Sequence, residues 1–239
     1  MPTPNDVHRE AALDGISIAY RNTGFIWREV FPMVNVTKKS DFYYLYDQGD
    51  WMRDSVEVRA PGTKARVVDY NVSSASYIAI NYALSKRVTD EERNNSDAAL
   101  KPDSDATAFI TEQLELATER RVAAMVTTCG NWASASNPST KWDVDSSDPV
   151  NDIETAKNAV ISKTGQEPNV VVISQDTWRF LRKHPDLLER VKYTQLGRVT
   201  PQVFADIVEI PKVLIGRTIH NSAKEGATDS MAYIWGDML

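Results

Sequence analysis

Residues 41–71 constrain the fold more than any other stretch. They read as two extended arms around a turn, Phe42-Tyr43-Tyr44-Leu45-Tyr46 going out and Ala65-Arg66-Val67-Val68-Asp69-Tyr70 coming back. Ala60-Pro61-Gly62-Thr63 between them has the chemistry of a type II turn. Pro presets φ at the first central position, and Gly accepts positive φ at the second. A hairpin this long with so few aliphatic side chains predicts a projecting loop rather than a pair of core strands. Residues 25–36 raise a related problem, because Phe25-Ile26-Trp27 and Val30-Phe31-Pro32-Met33 put large apolar groups on an extended, Pro-punctuated segment. Such a segment needs a surface to lie on, in its own chain or a neighbour's.

A long helix is predicted over 105–127, about 35 Å at about 1.5 Å per residue, with Ser104 and Asp105 as capping residues. At about 100° per residue, Ala106, Phe109, Ile110, Leu114, Leu116, Ala117, Ala124 and Met125 fall on one half of the wheel, which predicts the packed face. Glu112, Glu115, Glu119, Thr111 and Thr118 fall on the other. Val122, Ala123 and Val126 then occupy the acidic side, so the C-terminal end is apolar all round and should be covered on both sides. The three glutamates read either as a solvated face or as an invitation to a basic partner from another subunit.

Elsewhere the elements are shorter. Val7 to Leu13 reads as a helix start interrupted by Gly15; the alternation of Ile78, Ile80, Tyr82 and Leu84 reads as a strand; Thr89-Asp90-Glu91-Glu92-Arg93 opens a short helix or turn. Residues 127–150, rich in Ser, Asn, Asp and Pro, form a loop or domain boundary. An α/β pattern follows: a helix capped by Asp152, a buried strand Val170-Val171-Val172-Ile173, and a helix over 177–184 started by Ser174 or Asp176 and stopped by Pro185. Residues 187–191 add a helical piece, Thr200-Pro201 starts a helix to about Val208, and 213–219 and 231–235 read as further strands. A sheet with helices packed on it accounts for this half.

Composition narrows the function. With 33 acidic and 27 basic residues the net charge is −6, so the chain as a whole repels a phosphate backbone, which argues against sequence-independent nucleic-acid binding. No run approaches the roughly 20 apolar residues of a membrane helix, and Met1-Pro2-Thr3-Pro4-Asn5-Asp6 lacks a signal peptide's basic and apolar regions. These features predict a protein kept in the cytosol. The one cysteine, Cys129, excludes an intramolecular disulfide and reads as a half-buried small hydrophobe. His8, His184 and His220 lie outside any metal-binding spacing and read as surface or packing residues. Phosphate-cradling glycine loops and the nucleophile elbow are missing from the sequence, so no catalytic, cofactor or metal residue is predicted. Segments that cannot bury themselves, beside one compact α/β unit, suit a shell tile better than an enzyme, because repeated heterologous contacts close rings and cages.

In the order of these pieces the sequence resembles the major capsid proteins of tailed bacteriophages, with the Hong Kong 97-type α+β fold. Residues 1–36 resemble the N-terminal arm, 37–75 the E-loop hairpin, 76–150 a peripheral domain with its spine helix, and 151–239 an α/β axial domain. Pro168-Asn169-Val170-Val171-Val172-Ile173-Ser174 and Asp176-Thr177-Trp178-Arg179-Phe180-Leu181 are similar to axial-domain phrases. So are Tyr82-Ala83-Leu84-Ser85 and Ile210-Pro211-Lys212-Val213-Leu214-Ile215 to other recurrent ones. Family members usually continue past the point matching Leu239, so the axial domain is expected to be incomplete here.

The resemblance implies a structural coat protein, not an enzyme, that assembles with copies of itself in pentamers and hexamers into an icosahedral head around packaged DNA. It implies no cofactor and no membrane partner, expects portal and scaffolding proteins, and places the chain in the virion capsid after assembly in the host cytoplasm. The residues expected between subunits are Phe25, Trp27, Phe31, Phe42, Tyr44, Tyr46, Trp51, Lys64, Glu112, Glu115 and Glu119. Some members cross-link Lys to Asn. Lys38, Lys39 and Lys64 lie at or near the loop, but no acceptor matches. The competing readings are an encapsulin-type nanocompartment shell and, from another class, a small α/β enzyme with carboxylate chemistry near Asp176.

Overall fold

The computed structural model describes residues 22–96, 100–132, 135–192 and 198–236. The reading of a helix start at Val7 to Leu13 lies outside them. In chain order the elements are α1 (Trp27–Val30), β1 (Ser40–Tyr46), α2 (Gln48–Trp51), β2 (Val72–Ile78), α3 (Asp90–Asn95) and α4 (Pro102–Thr127). There follow α5 (Pro149–Thr164), β3 (Val170–Ser174), α6 (Gln175–Leu181), α7 (Pro185–Val191), α8 (Pro201–Val208), β4 (Lys212–Gly216), β5 (Ile219–Asn221) and β6 (Met231–Tyr233). The chain divides into two compact units, Val34–Ala83 and the remainder.

In the Val34–Ala83 unit, β1 and β2 pair antiparallel from Ser40↔Ile78 to Tyr46↔Val72. The returning strand therefore starts after residues 65–70, which lie outside any strand, and ends at Ile78. The alternation of Ile80, Tyr82 and Leu84 does not extend it: past the Ala79 N–H to Lys39 carbonyl bond at 2.7 Å, the ladder ends among the described residues. Gly62 has φ 86°, and the Thr63 N–H donates to the Ala60 carbonyl at 3.2 Å, as the type II turn requires.

In the other unit, the parallel pair β3 and β4 runs in register from Val170↔Lys212 to Ser174↔Gly216. Because side chains alternate along a strand, this pair feeds two cores. Val171, Ile173, Val213 and Ile215 belong to a cluster built on Trp178, Leu181, Leu187, Phe204 and Val208. There the Trp178 and Phe204 rings meet edge to face at 5.7 Å. Val170, Val172 and Leu214 belong to a second cluster with Ile26, Ala123 and Trp235. The strand expected over 213–219 is broken after Gly216, where the Trp235 indole lies so close that a Cβ would overlap it. β5 resumes at Ile219 and pairs with β6 instead.

Local chemistry sets most helix starts. Thr89 and Glu92 form a reciprocal capping box at α3, Ser174 caps α6, and Thr200 precedes Pro201 at the start of α8. Asp148, not Asp152, caps α5, with Pro149 at its first position. The Asp152 carboxylate instead accepts the Trp142 indole N–H at 2.8 Å. The Arg93 guanidinium binds Asp103 at 2.9–3.2 Å and joins α3 to α4. Those bonds hold the Asp103 carboxyl below its ordinary range.

Helix α4 corrects the sequence reading. Its side turned to the protein carries Glu112, Glu115, Leu116, Glu119, Val122, Ala123 and Val126, all buried or half-buried. Phe109, Leu114 and Met125, expected in the core, are exposed, Met125 by 53%. Ala106 is buried and Ile110 and Leu116 half-buried as expected, so the packed face departs from the one hydrophobicity assigns chiefly from Glu112 onward, because the glutamates have bonding partners inside. Residues 25–36 are also not extended throughout: Trp27–Val30 is a single helical turn, and Ile26 is buried at its start. Cys129 is exposed rather than half-buried. His184 is buried, with its Nε2 3.0 Å from the Ser147 hydroxyl, a packing role as expected.

Candidate functional site

The glutamates of α4 form the densest polar site. Spaced three and four residues apart, they share one helix face, and residues 22–28 of the same chain lie along it. The Asn22 backbone N–H donates to Glu112 at 2.8 Å. Glu115 accepts the Trp27 indole N–H at 2.6 Å and pairs with the Arg28 guanidinium. Glu119 is fully buried, 0% exposed. Its carboxylate accepts the Ile26 N–H with both oxygens at 3.2 Å and the Trp27 N–H at 2.9 Å. It also accepts the Thr218 hydroxyl at 3.2 Å and the Trp235 indole N–H.

The chemistry explains why a carboxylate occupies this place. The first N–H groups of a helix have no internal acceptor, and α1 has no side-chain cap of its own. Glu119 takes two of those donors and two side-chain donors from the far end of the chain. Glu112, Glu115 and Glu119 are thus engaged within the chain, where the sequence offered a solvated face or a basic partner from another subunit. Trp27, also expected between subunits, spends its ring N–H on Glu115, while Phe25 and Phe31 are half-buried. The signal in the sequence was the continuation of the glutamate stripe into Val122, Ala123 and Val126 on one face.

The remaining candidates lie in the Val34–Ala83 unit. Phe42 is 70% exposed and Tyr44 76%; Tyr46, Trp51 and Lys64 are exposed too. Sequence reasoning missed Val56, Val58 and Val67, which stand almost wholly in solvent in this chain. The loop end of the ladder is nevertheless ordered by specific contacts. Asp47 caps α2, and Asp50 accepts both the backbone and side-chain N–H groups of Asn71 at 3.0 and 2.9 Å. Tyr46, Trp51 and Tyr70 form a three-ring cluster with centroids 5.7–6.0 Å apart.

Among the described residues, no group of three or more His, Cys, Asp or Glu side chains is placed to hold a metal ion. The carboxyls clearly held below their ordinary range, Asp41 beside Lys38 and Asp103 beside Arg93, sit on the surface in ion pairs. No helix among the described residues is long and apolar enough to cross a membrane.

A mixed α/β chain of this architecture has the fold of phage capsid subunits. It superposes on the capsid structure of the cyanophage P-SCSP1u with a TM-score of 0.55 at 14% identity, covering 97% of this chain and 76% of that one. A phage-related protein from Bordetella bronchiseptica RB50 aligns with a TM-score of 0.64 at 26% identity, over 91% of this chain and 71% of that one. In sequence the chain is, more particularly, similar to phage major capsid proteins. It is 26% identical over 231 residues to the major capsid protein of Burkholderia phage BcepMu, covering 95% of this chain and 73% of that protein. It is also 26% identical over 232 residues to the major capsid protein of Pseudomonas phage JBD67, covering 94% and 73%. No protein-family model matches the chain. The resemblance read from the order of the sequence elements is borne out by these relatives.

Proposed function

We propose that this chain is a structural coat subunit that assembles with copies of itself into an icosahedral phage head around packaged DNA. The observation that carries the reading is the Val34–Ala83 hairpin, whose aromatic and aliphatic side chains stay in solvent while the loop end of its ladder is braced by Asp50 and three clustered rings. Surface of that kind is covered when a neighbouring copy docks on it. Relatives named as phage major capsid proteins support a phage head over a nanocompartment shell or a carboxylate enzyme.

In this reading the fold is of the Hong Kong 97 type. Residues 1–36 are the arm, 37–75 the E-loop, 76–150 the peripheral domain and 151–239 the axial domain. Axial domains meet in pentamers and hexamers, and portal and scaffolding proteins act in assembly within the host cytoplasm. Phe42, Tyr44, Tyr46, Trp51 and Lys64 are its contacts between subunits. Each contact is modest, and closure of the shell makes the later ones intramolecular.

Electron microscopy and sedimentation of the purified chain, alone and with its scaffolding partner, test the reading. Uniform shells are expected. The double substitution Phe42→Ala, Tyr44→Ala should abolish them while moving subunit stability by less than about 0.5 kcal/mol, since both rings are exposed within the chain. A species that stays small under every assembly condition, or shells indifferent to both substitutions, refutes the assignment.

A further inference from the structure

One cavity in the α/β unit gathers positive charge without an acid to balance it. It has a volume of about 400 Å³, and Arg182, Arg198 and Arg217 all line it, beside Trp178 and Thr200. The three arginines come from separate places: the end of α6, the approach to α8 and the residue after β4. No carboxylate lines the cavity. Ion pairs elsewhere engage Arg28, Lys38, Arg53, Arg66, Arg93, Lys157, Arg190 and Lys212, yet none of these three makes one among the described residues. In a chain of net charge −6, three unpaired guanidiniums on one concave wall depart sharply from the average.

Two details point to a ligand. The Arg217 Nε–H donates to the Gln175 side-chain oxygen at 3.1 Å, which fixes the guanidinium and leaves its terminal nitrogens for another acceptor. The N-terminal end of α8, eight residues long and led by Thr200 and Pro201, adds a favourable field for an anion.

Guanidinium forks match phosphate oxygens in pairs. One phosphate group carries about −1.5 to −2 at neutral pH, short of three guanidinium charges, whereas two linked phosphates balance them. We propose that this cavity binds a phosphate-bearing anion of pyrophosphate size, an activity separate from shell building.

Thermal melts of the unassembled 239-residue chain, titrated with sodium pyrophosphate at constant ionic strength, test it. The expected result is a saturable rise in melting temperature, as for any ligand that binds only the folded state. In the variant Arg182→Gln, Arg198→Gln the midpoint of that response should move at least about tenfold higher, because two charged donor forks are lost. The substituted residues are exposed and unpaired, so the variant should melt normally without pyrophosphate. If it does not, phosphorus NMR line broadening of pyrophosphate by the wild-type chain, lost in Arg198→Ala, makes the same decision. A short oligothymidylate that competes at the site names nucleic-acid backbone as the phosphate source, and pyrophosphate binding without competition names a free polyphosphate. No response in the wild type, or an equal response in the double variant, overturns the proposal.

Discussion

Replacing Glu119 by Gln changes one oxygen to an amide nitrogen and almost nothing in volume, so it isolates the hydrogen bonding of the buried carboxylate. The wild-type oxygens accept four donor groups: the N–H groups of Ile26 and Trp27, the Thr218 hydroxyl and the Trp235 indole. Gln has one acceptor oxygen, and its NH2 is itself a donor. If that oxygen keeps Thr218 and Trp235, the NH2 faces the Ile26 and Trp27 N–H groups and leaves two buried donors without partners. At about 1–3 kcal/mol for each orphaned group, the loss is roughly 2–6 kcal/mol. Much of the stability of a typical domain, about 5–15 kcal/mol, is therefore at stake. Because residues 22–28 can detach locally, the lower half of that range is expected in global unfolding. Urea titration followed by tryptophan fluorescence reads the global loss, and hydrogen exchange at the Ile26 and Trp27 amides reads the local one. A Glu119→Gln variant within about 0.5 kcal/mol of wild type, with unchanged exchange at those amides, would refute the reasoning.

Two further substitutions probe the same region. The turned phase of α4 predicts that Met125→Asp, at an exposed position, shifts stability by no more than about 0.5 kcal/mol, whereas Ala123→Asp, 2% exposed in the core with Trp235, costs roughly 3 kcal/mol or more. Equal urea midpoints for the two would restore the opposite phase. At Gly216, an added Cβ would overlap the Trp235 indole, so Gly216→Ala should destabilise by about 1–3 kcal/mol, and a melt matching wild type would show that the ring moves freely aside.

The sequence made the local elements legible where backbone chemistry decides them. The Pro61-Gly62 turn, the helix opening at Thr89, the Thr200 cap and the β3 run all depend on neighbours within a few residues, and each stands in the structure as read. Orientation was harder to read. On α4 both halves of the wheel offered apolar groups, and glutamate was taken for a solvent residue; only donors 87–116 residues away in the chain make it an inner one. Likewise, nothing near Trp27 in sequence announces Glu115, so this contact within the chain was not read. The hairpin was legible as a separate unit because its lack of aliphatic residues is a local fact. The returning strand was misplaced because pairing register is set across the turn. The arginine cavity could not be read at all, since its residues come from three elements joined only by the fold.

The far-flung donors of Glu119 also bear on how the chain forms as it is made. Trp235 leaves the ribosome 116 residues after Glu119. At about 5–20 residues per second that is a wait of roughly 6–23 s, during which the inner face of the long helix has no indole to close over it. Docking of residues 22–28 on that face cannot be completed until Trp235 has emerged, so two segments far apart in the sequence mature together.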